Sequence, residues 1–389
     1  MAYISSNDNR FYVALEGAYG QTPPAASFSR IPAVKLVTTQ QLEKTARKDK
    51  TGSRTFVGYP AGGRRANTFD LTTYMRDWSD QTQPPGYGAL FQACLGQTPS
   101  IAAPLTIGSS SSPVHFAFTT AHGLIPGQAV AYGPEVRFVS AIGDTQTIVI
   151  NAPFTTSPAS GSTLGGSATY CLANELSSAT IFDCWSPTTA VQRIISGAAV
   201  DQLQIQVNGD YQSFRFTGPA ADIVDSASFQ QGQGGLTSFP SEPLSTGFDY
   251  TIVPGHLGQV WIGSAPNEFF TLTAATVTLK NNLTLRDREF GSNLARGISP
   301  GTRTVTVDFS LYQQDDAQTQ ALYQAARQES PVAVMLQLGQ QAGQLAAIYL
   351  KSVMLTTPQF DDSDARLQWT FKSSRAQGIS DDEISIAFA

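Results

Sequence analysis

The chain has 389 residues, 41% of them hydrophobic and only 14% charged, with a net charge of −6 and three cysteines. That length holds two or three domains, the acidic balance excludes a protein that attracts nucleic acid by its global charge, and no apolar run is long enough to cross a bilayer as a helix. The charge deficit points to a surface covered by other protein or built from Thr, Ser, Gln and Asn.

Residues 11–20 read as a short strand, and Thr22-Pro23-Pro24 as a rigid turn behind an exposed N-terminal arm. Val34, Leu36 and Leu42 mark the next strand. Between 43 and 65, seven basic residues (Lys44, Arg47, Lys48, Lys50, Arg54, Arg64 and Arg65) stand against two acids, Glu43 and Asp49. This is a long cationic loop, either simply solvated or an arm that docks on an acidic surface of a partner subunit. Further on, Phe69, Leu71, Thr73 and Met75 alternate with Thr68, Asp70, Thr72 and Tyr74, the period of two of a strand with one face in a core. Pro84-Pro85 precedes a short helix that carries Leu90, Phe91, Cys94 and Leu95 on one side and stops at Gly96.

Residues 99–169 are poor in charge and rich in Ser, Gly, Pro and Ala, with short strands at 114–118, 128–132, 136–142 and 147–150. They read as an inserted small all-β domain, entered and left through the serine-rich runs 109–112 and 155–162. Leu203, Ile205 and Val207 then alternate with Gln202, Gln204 and Gln206, and Asn208-Gly209 is the strongest hairpin signal in the sequence. A loop-rich connection is expected over 219–270. A strand resumes near 272 with Ala275, Val277 and Leu279 inward, followed by a second long loop with basic content over 286–300.

The stretch 302–371 reads strand, helix, strand, strand, strand. Val305, Val307, Phe309 and Leu311 alternate with Thr304, Thr306, Asp308 and Ser310. Asp315 and Gln318 suggest a capping box for a helix over 316–328, which Pro331 cannot continue. Ile384, Ile386 and Phe388 form a terminal strand that must pair with something.

The order strand, basic loop, strand, helix, strands thus occurs twice. The expected fold is mainly β with a few short helices (α+β), in two similar sandwich or barrel units with a flanking helix: residues 1–98 with 170–218, and residues 271–389. The small β domain would project outward from the first. Two units per chain let three chains, in preference to six, close a ring with pseudo-sixfold symmetry, exposed edge strands serving as joints.

The search for chemistry is negative. There is no nucleophile elbow, phosphate-binding glycine loop or zinc spacing, and His115, His122 and His256 sit in β-turn contexts. Cys94, Cys171 and Cys184 read as reduced core thiols of a chain made in the cytoplasm, because residues 1–10 have no secretory apolar region. The acids Asp361, Asp362, Asp364 and Asp381, Asp382, Glu383 lack a fixed cation-loop geometry; they read as solvated turns or as docking sites for the basic loop. No catalytic group, metal or cofactor is expected.

Some of these residues match a known pattern. The run Tyr12-Val13-Ala14-Leu15-Glu16-Gly17-Ala18-Tyr19-Gly20 with Thr22-Pro23-Pro24, the segments Arg54-Thr55-Phe56 and Asp70-Leu71-Thr72, and Arg288-Glu289-Phe290-Gly291-Ser292 with Pro300-Gly301 together resemble the larger tail tube (major tail) proteins of long-tailed bacteriophages. The resemblance implies a structural virion protein, assembled from cytoplasmic chains in the host into stacked rings around a channel for double-stranded genomic DNA that passes without specific binding. Its partners would be itself, a tape measure protein, and tail terminator or tip proteins, with no membrane. Four strands per unit and six units make about 24 strands, roughly 115 Å around and roughly 37 Å across at the backbone. Such a wall should be polar or acidic, which suits Thr68, Asp70, Thr72, Thr304, Thr306, Asp308 and Ser310 as channel-lining residues. The 43–65 loop would reach the adjacent ring, and the N-terminal arm and C-terminal strand would brace neighbours. A tail-tip or baseplate ring protein of the same fold, and a surface carbohydrate-binding β protein using Trp185, Tyr250 and Trp261, are the alternatives.

Overall fold

The computed structural model describes residues 3–60, 62–78, 81–245, 248–263, 267–363 and 365–389. The alternating stretches pair into one antiparallel sheet. Eight strands follow one another across it: Ala33–Leu42, Arg65–Tyr74, Ser213–Ala220, Gln202–Val207, Leu272–Lys280, Thr304–Tyr312, Gln368–Ala376 and Gln359–Asp361. The first four and the last four have the same plan, in which two strands joined by a long loop are followed by a hairpin entered through its far strand.

A second layer repeats too. In the first half Ser29–Ile31, Asn9–Leu15, Ala179–Trp185, Arg193–Ala198 and Asp222–Asp225 are neighbours in that order. In the second half Asn267–Glu268, Gly258–Gly263, Val332–Leu338, Ala346–Met354 and Ser385–Phe388 take the corresponding places. The physical cause is the period of two. Six of the eight strands bury an apolar face, the two edge strands Ala33–Leu42 and Gln359–Asp361 burying no residue, and Phe69, Leu71, Leu203, Val277, Val307 and Phe371 share a single buried cluster with Val13, Ile181, Val334 and Ile348 of the second layer.

The stretch 219–270, expected to be a loop-rich connection, therefore contributes the strands Asp222–Asp225, Gly258–Gly263 and Asn267–Glu268. Short strands between polar turns escape a periodicity reading because each offers too few alternations. The C-terminal strand is committed within its own chain, pairing Ala346–Met354 on one side and Ser167–Tyr170 on the other. It has no free edge with which to brace a neighbour. Asn9–Leu15 is likewise paired on both sides.

Helix Gly88–Leu95 ends on Gly96, whose φ of +97° only glycine adopts freely. Buried residues lie all round it rather than on one side. Its Phe91 ring touches Phe214, Phe216 and Tyr170, and also Phe388 of the second half at 5.1 Å between centroids. Helix Ala317–Arg327 is capped by Asp316, whose carboxylate accepts from the Thr319 N–H at 2.6 Å; the cap falls one residue after the expected Asp315.

Inside the inserted region, the strands Thr163–Leu164, Leu105–Ser112, His115–Phe118, Thr147–Ile150, Glu135–Ile142 and Ala129–Tyr132 are neighbours in that order, and a bridge from Ala131 to Gly165 closes the ends into a small barrel. The serine run 109–112 is part of a bulged strand rather than a linker. The barrel does not stand free. Its Arg137, fully buried, donates to the carbonyls of Pro153 and Val136, to Glu135 and to Gln259, and lies 4.8 Å from the Trp261 ring centre. Gln337 accepts from the Val136 N–H and donates to the Pro134 carbonyl, both at 2.9 Å. Burial alone would push the Glu135 carboxyl up, but Thr155, Arg137 and Gln259 hold it below the usual range.

Candidate assembly surfaces

The exposed face of the eight-strand sheet is the first surface. Register puts Thr68, Asp70, Thr72, Thr304, Thr306, Asp308 and Ser310 on it, opposite the buried Phe69, Leu71, Val305, Val307, Phe309 and Leu311. Arg215 grips Asp70 with two bonds, at 2.9 and 2.6 Å, and its hydrogen bonds hold the Asp70 carboxyl below the usual range. Asp308 accepts from the Ser373 N–H, and the Ser310 and Thr370 hydroxyls meet at 2.9 Å. The face is polar but not acidic: Lys35, Arg215, Lys280, Lys372 and Arg375 share it with Asp70, Asp308 and Asp361 among the described residues. Reading Thr304–Ser310 alone missed these cations, which sit on strands that only the register brings alongside.

Strand direction defines two ends. Ala33–Leu42 and Leu272–Lys280 both run towards one end, so the loops 43–64 and 281–303 emerge together there. Their roots touch: the Arg65 N–H donates to the Asn293 carbonyl at 2.9 Å, and Arg288 pairs with Glu43 at 3.3 Å. Of the seven expected loop cations, Arg65 is engaged with buried Asp222 at 3.1 Å and Arg64 with the Arg288 carbonyl at 3.5 Å. Lys44, Arg47, Lys48, Lys50 and Arg54 remain exposed, with Arg47 paired to Asp49 within the loop. The loop also exposes Phe56, Val57 and Tyr59.

The acids divide. Asp381 and Glu383 meet Arg303 at 3.1 and 3.5 Å, and Asp382 meets Lys351 at 3.0 Å, so each acid of this cluster has a cation partner inside the chain. Asp361 and exposed Asp362 lie at the end away from the long loops, because Asp361 pairs with Gln368, which pairs with Tyr312 at the far end of its strand. Asp364 lies outside the described residues.

The sheet also has two free edges, Ala33–Leu42 on one side and Gln359–Asp361 on the other. Between them, Gln202–Val207 of the first half pairs with Leu272–Lys280 of the second over six residue pairs. The strand types that meet at this internal seam are the types left unpaired at the two edges. The profile of a family described as phage tail tube protein matches residues 6–388. The chain belongs to that family.

As a phage tail tube protein it is a structural component of the virion tail that associates with itself into a tube. No curated protein matches it. The opening motif of this tail tube protein now has a physical basis. The Glu16 carboxylate, 5% exposed, accepts from the N–H groups of Gly20 and Gly197 and the hydroxyls of Ser178 and Thr180, at 2.5 to 2.8 Å. One side chain thereby ties the first strand to the two that follow the insertion. Periodicity does not find this hub; a carboxylate ending an apolar strand before Gly17 was the available signal. The histidines act locally where they act at all: His122 accepts from the Leu124 N–H at 2.9 Å and meets the Asp144 carbonyl at 3.0 Å. Among the described residues no three His, Cys, Asp or Glu side chains cluster as metal ligands.

Proposed function

We propose that three copies close a ring by pairing the Ala33–Leu42 edge of one chain with the Gln359–Asp361 edge of the next, and that rings stack into the tube through which the genome is delivered. The carrying observation is the internal seam, where Gln202–Val207, which ends the first half's row as Gln359–Asp361 ends the second's, pairs with Leu272–Lys280, which begins the second half's row as Ala33–Leu42 begins the first's. A joint between copies would repeat it. Eight strands per chain then give about 24 for three chains, and at ~4.8 Å spacing a barrel roughly 37 Å across before tilt widens it, enough for a DNA duplex.

The second layers and the inserted barrel pack on the buried face of the sheet or beyond it, so closure leaves the polar face inside. Asp70 neutralises Arg215 there, and the remaining cations are separated by Thr, Ser and Gln side chains, which favours transit of DNA over retention. A tape measure protein would occupy the bore before the DNA, with terminator and tip proteins at the column ends. The chain's two similar halves correspond to 9–98 with 170–225 and to 258–389, the insertion covering the outside of the second. Native mass spectrometry and end-on electron microscopy of purified protein test this. Three chains per ring are expected; six chains per ring, or monomers at high concentration, would sink the proposal.

A further inference from the structure

The end of the sheet away from the long loops contains a cavity of ≈310 Å³ beside the internal seam. Val207 ends one strand of the seam and Leu272 begins the other, and Leu257, Val260 and Phe269 line the apolar interior, with His256 and Glu268 among the polar groups. At the opposite end of the same seam, Leu272–Lys280 runs into the 281–303 loop. That loop carries Phe290 at 103% exposure, among the most exposed large apolar side chains described. A fully solvated phenylalanine between charged residues and Gly291 is a poor choice for a free loop and a good one for a contact that forms later.

The two ends also differ in charge. The loop end exposes Lys44, Lys48, Lys50, Arg54, Arg286 and Arg296 against Glu43 and Asp49, while the cavity end exposes Asp210, Asp315, Asp361 and Asp362 against Arg366. Head-to-tail stacking brings opposite signs together; head-to-head or tail-to-tail stacking opposes like signs.

We infer that this cavity is the socket for Phe290 of a second copy in the next ring, a reading that rests on the stacked-ring proposal. The seam carries a knob at one end and a socket at the other, so each ring presents the same pair of surfaces to its successor and the stack is polar. The first half supports this independently. Its own long loop exposes Phe56 after Arg54, as Phe290 follows Arg288. The matching seam beneath Phe56 lies between chains, so that second contact becomes complete only after the ring closes. Ring closure therefore adds to a stacking contact that a single chain already carries.

The test uses the full chain with Phe290→Ala and, in a Cys171→Ser background, the pair Phe290→Cys with His256→Cys treated with a short bismaleimide. Native mass spectrometry reads ring closure, and turbidity with electron microscopy reads stacking. Phe290→Ala should leave rings intact and raise the concentration needed for stacking roughly ten- to a hundredfold, and the cysteine pair should crosslink between copies only under stacking conditions. Wild-type-like stacking of Phe290→Ala, or stacked Phe290→Cys/His256→Cys tubes that do not crosslink, would overturn the socket while leaving the tube reading in place. A wild-type chain that never stacks would overturn both.

Discussion

Proline at Gln40 separates folding from ring closure. The Glu43 N–H donates to the Arg64 carbonyl at 2.8 Å, and this sets the phase of the edge strand. Bonded and non-bonded pairs alternate in an antiparallel ladder, so Gln41 and Thr39 direct their N–H groups to Arg65–Tyr74, whereas Gln40 directs its own to the free edge. The edge Gln359–Asp361 has three residues against the six pairs of the internal seam. At about 0.5–1.5 kcal/mol net per backbone bond, about two to four bonds contribute roughly 1–6 kcal/mol. Gln40→Pro removes one donor and its ring holds the approaching strand away, a loss of about 1.5–3 kcal/mol per joint, or roughly ten- to a hundredfold in affinity. Three joints in a ring multiply the effect. Edge strands accept proline where the N–H faces solvent, so the melting temperature of the separated chain should move by no more than about 2–4 °C. Thr39→Pro, one residue away, removes a bond inside the chain and should lower that temperature instead. Sedimentation and thermal melting at matched concentrations give the answer. Gln40→Pro rings as stable as wild type would refute the edge-to-edge joint and the phase argument with it.

Other perturbations follow from single clusters. Glu16→Ala strands two buried N–H groups and two hydroxyls and should cost about 3–5 kcal/mol in denaturant unfolding; a loss under 1 kcal/mol would remove Glu16 as the hub. Arg137→Met leaves buried Glu135 without its cation and should cost a similar ~3–5 kcal/mol, with proteolysis between residues 99 and 170 appearing before cleavage elsewhere. Asp70 titrates below the ordinary aspartate range because Arg215 bonds to its ionised form. Its small stabilisation is present above about pH 3.9 and is lost as pH falls through the depressed folded value. Both side chains are more than a third exposed, so Asp70→Asn should cost under about 1 kcal/mol, and NMR titration of Arg215→Gln should show Asp70 moved up towards the ordinary aspartate range. Burial raises the thiols of Cys94, Cys184 and Cys171. In the native chain a colorimetric thiol reagent should therefore reach half-buried Cys171 first and Cys94 only on unfolding.

The sequence by itself determined the local elements. Alternation in Arg65–Tyr74 and Thr304–Tyr312 is written in consecutive residues, because a strand with one buried face needs an apolar side chain at every second place. Pro331 and Gly96 likewise act through their own backbone, so both helices were legible to within a residue or two, as was the cationic loop from its composition. What only tertiary structure decided is pairing between distant segments. The cations that share a face with Asp70 and Asp308 come from other strands, Arg215 lying 145 residues from Asp70, and the alternating runs themselves carry only acids and hydroxyls on that face until register places Lys35, Lys280 and Arg375 beside them. The acids at 381–383 look free until Arg303 and Lys351 arrive, and Ser385–Phe388 looks like an arm for a neighbour until it is found between two strands of its own chain. Periodicity reports which face of a strand is buried. It carries no information on which strand lies alongside, because any two alternating segments satisfy the same ladder of backbone hydrogen bonds, and burial of the whole set at once selects among them.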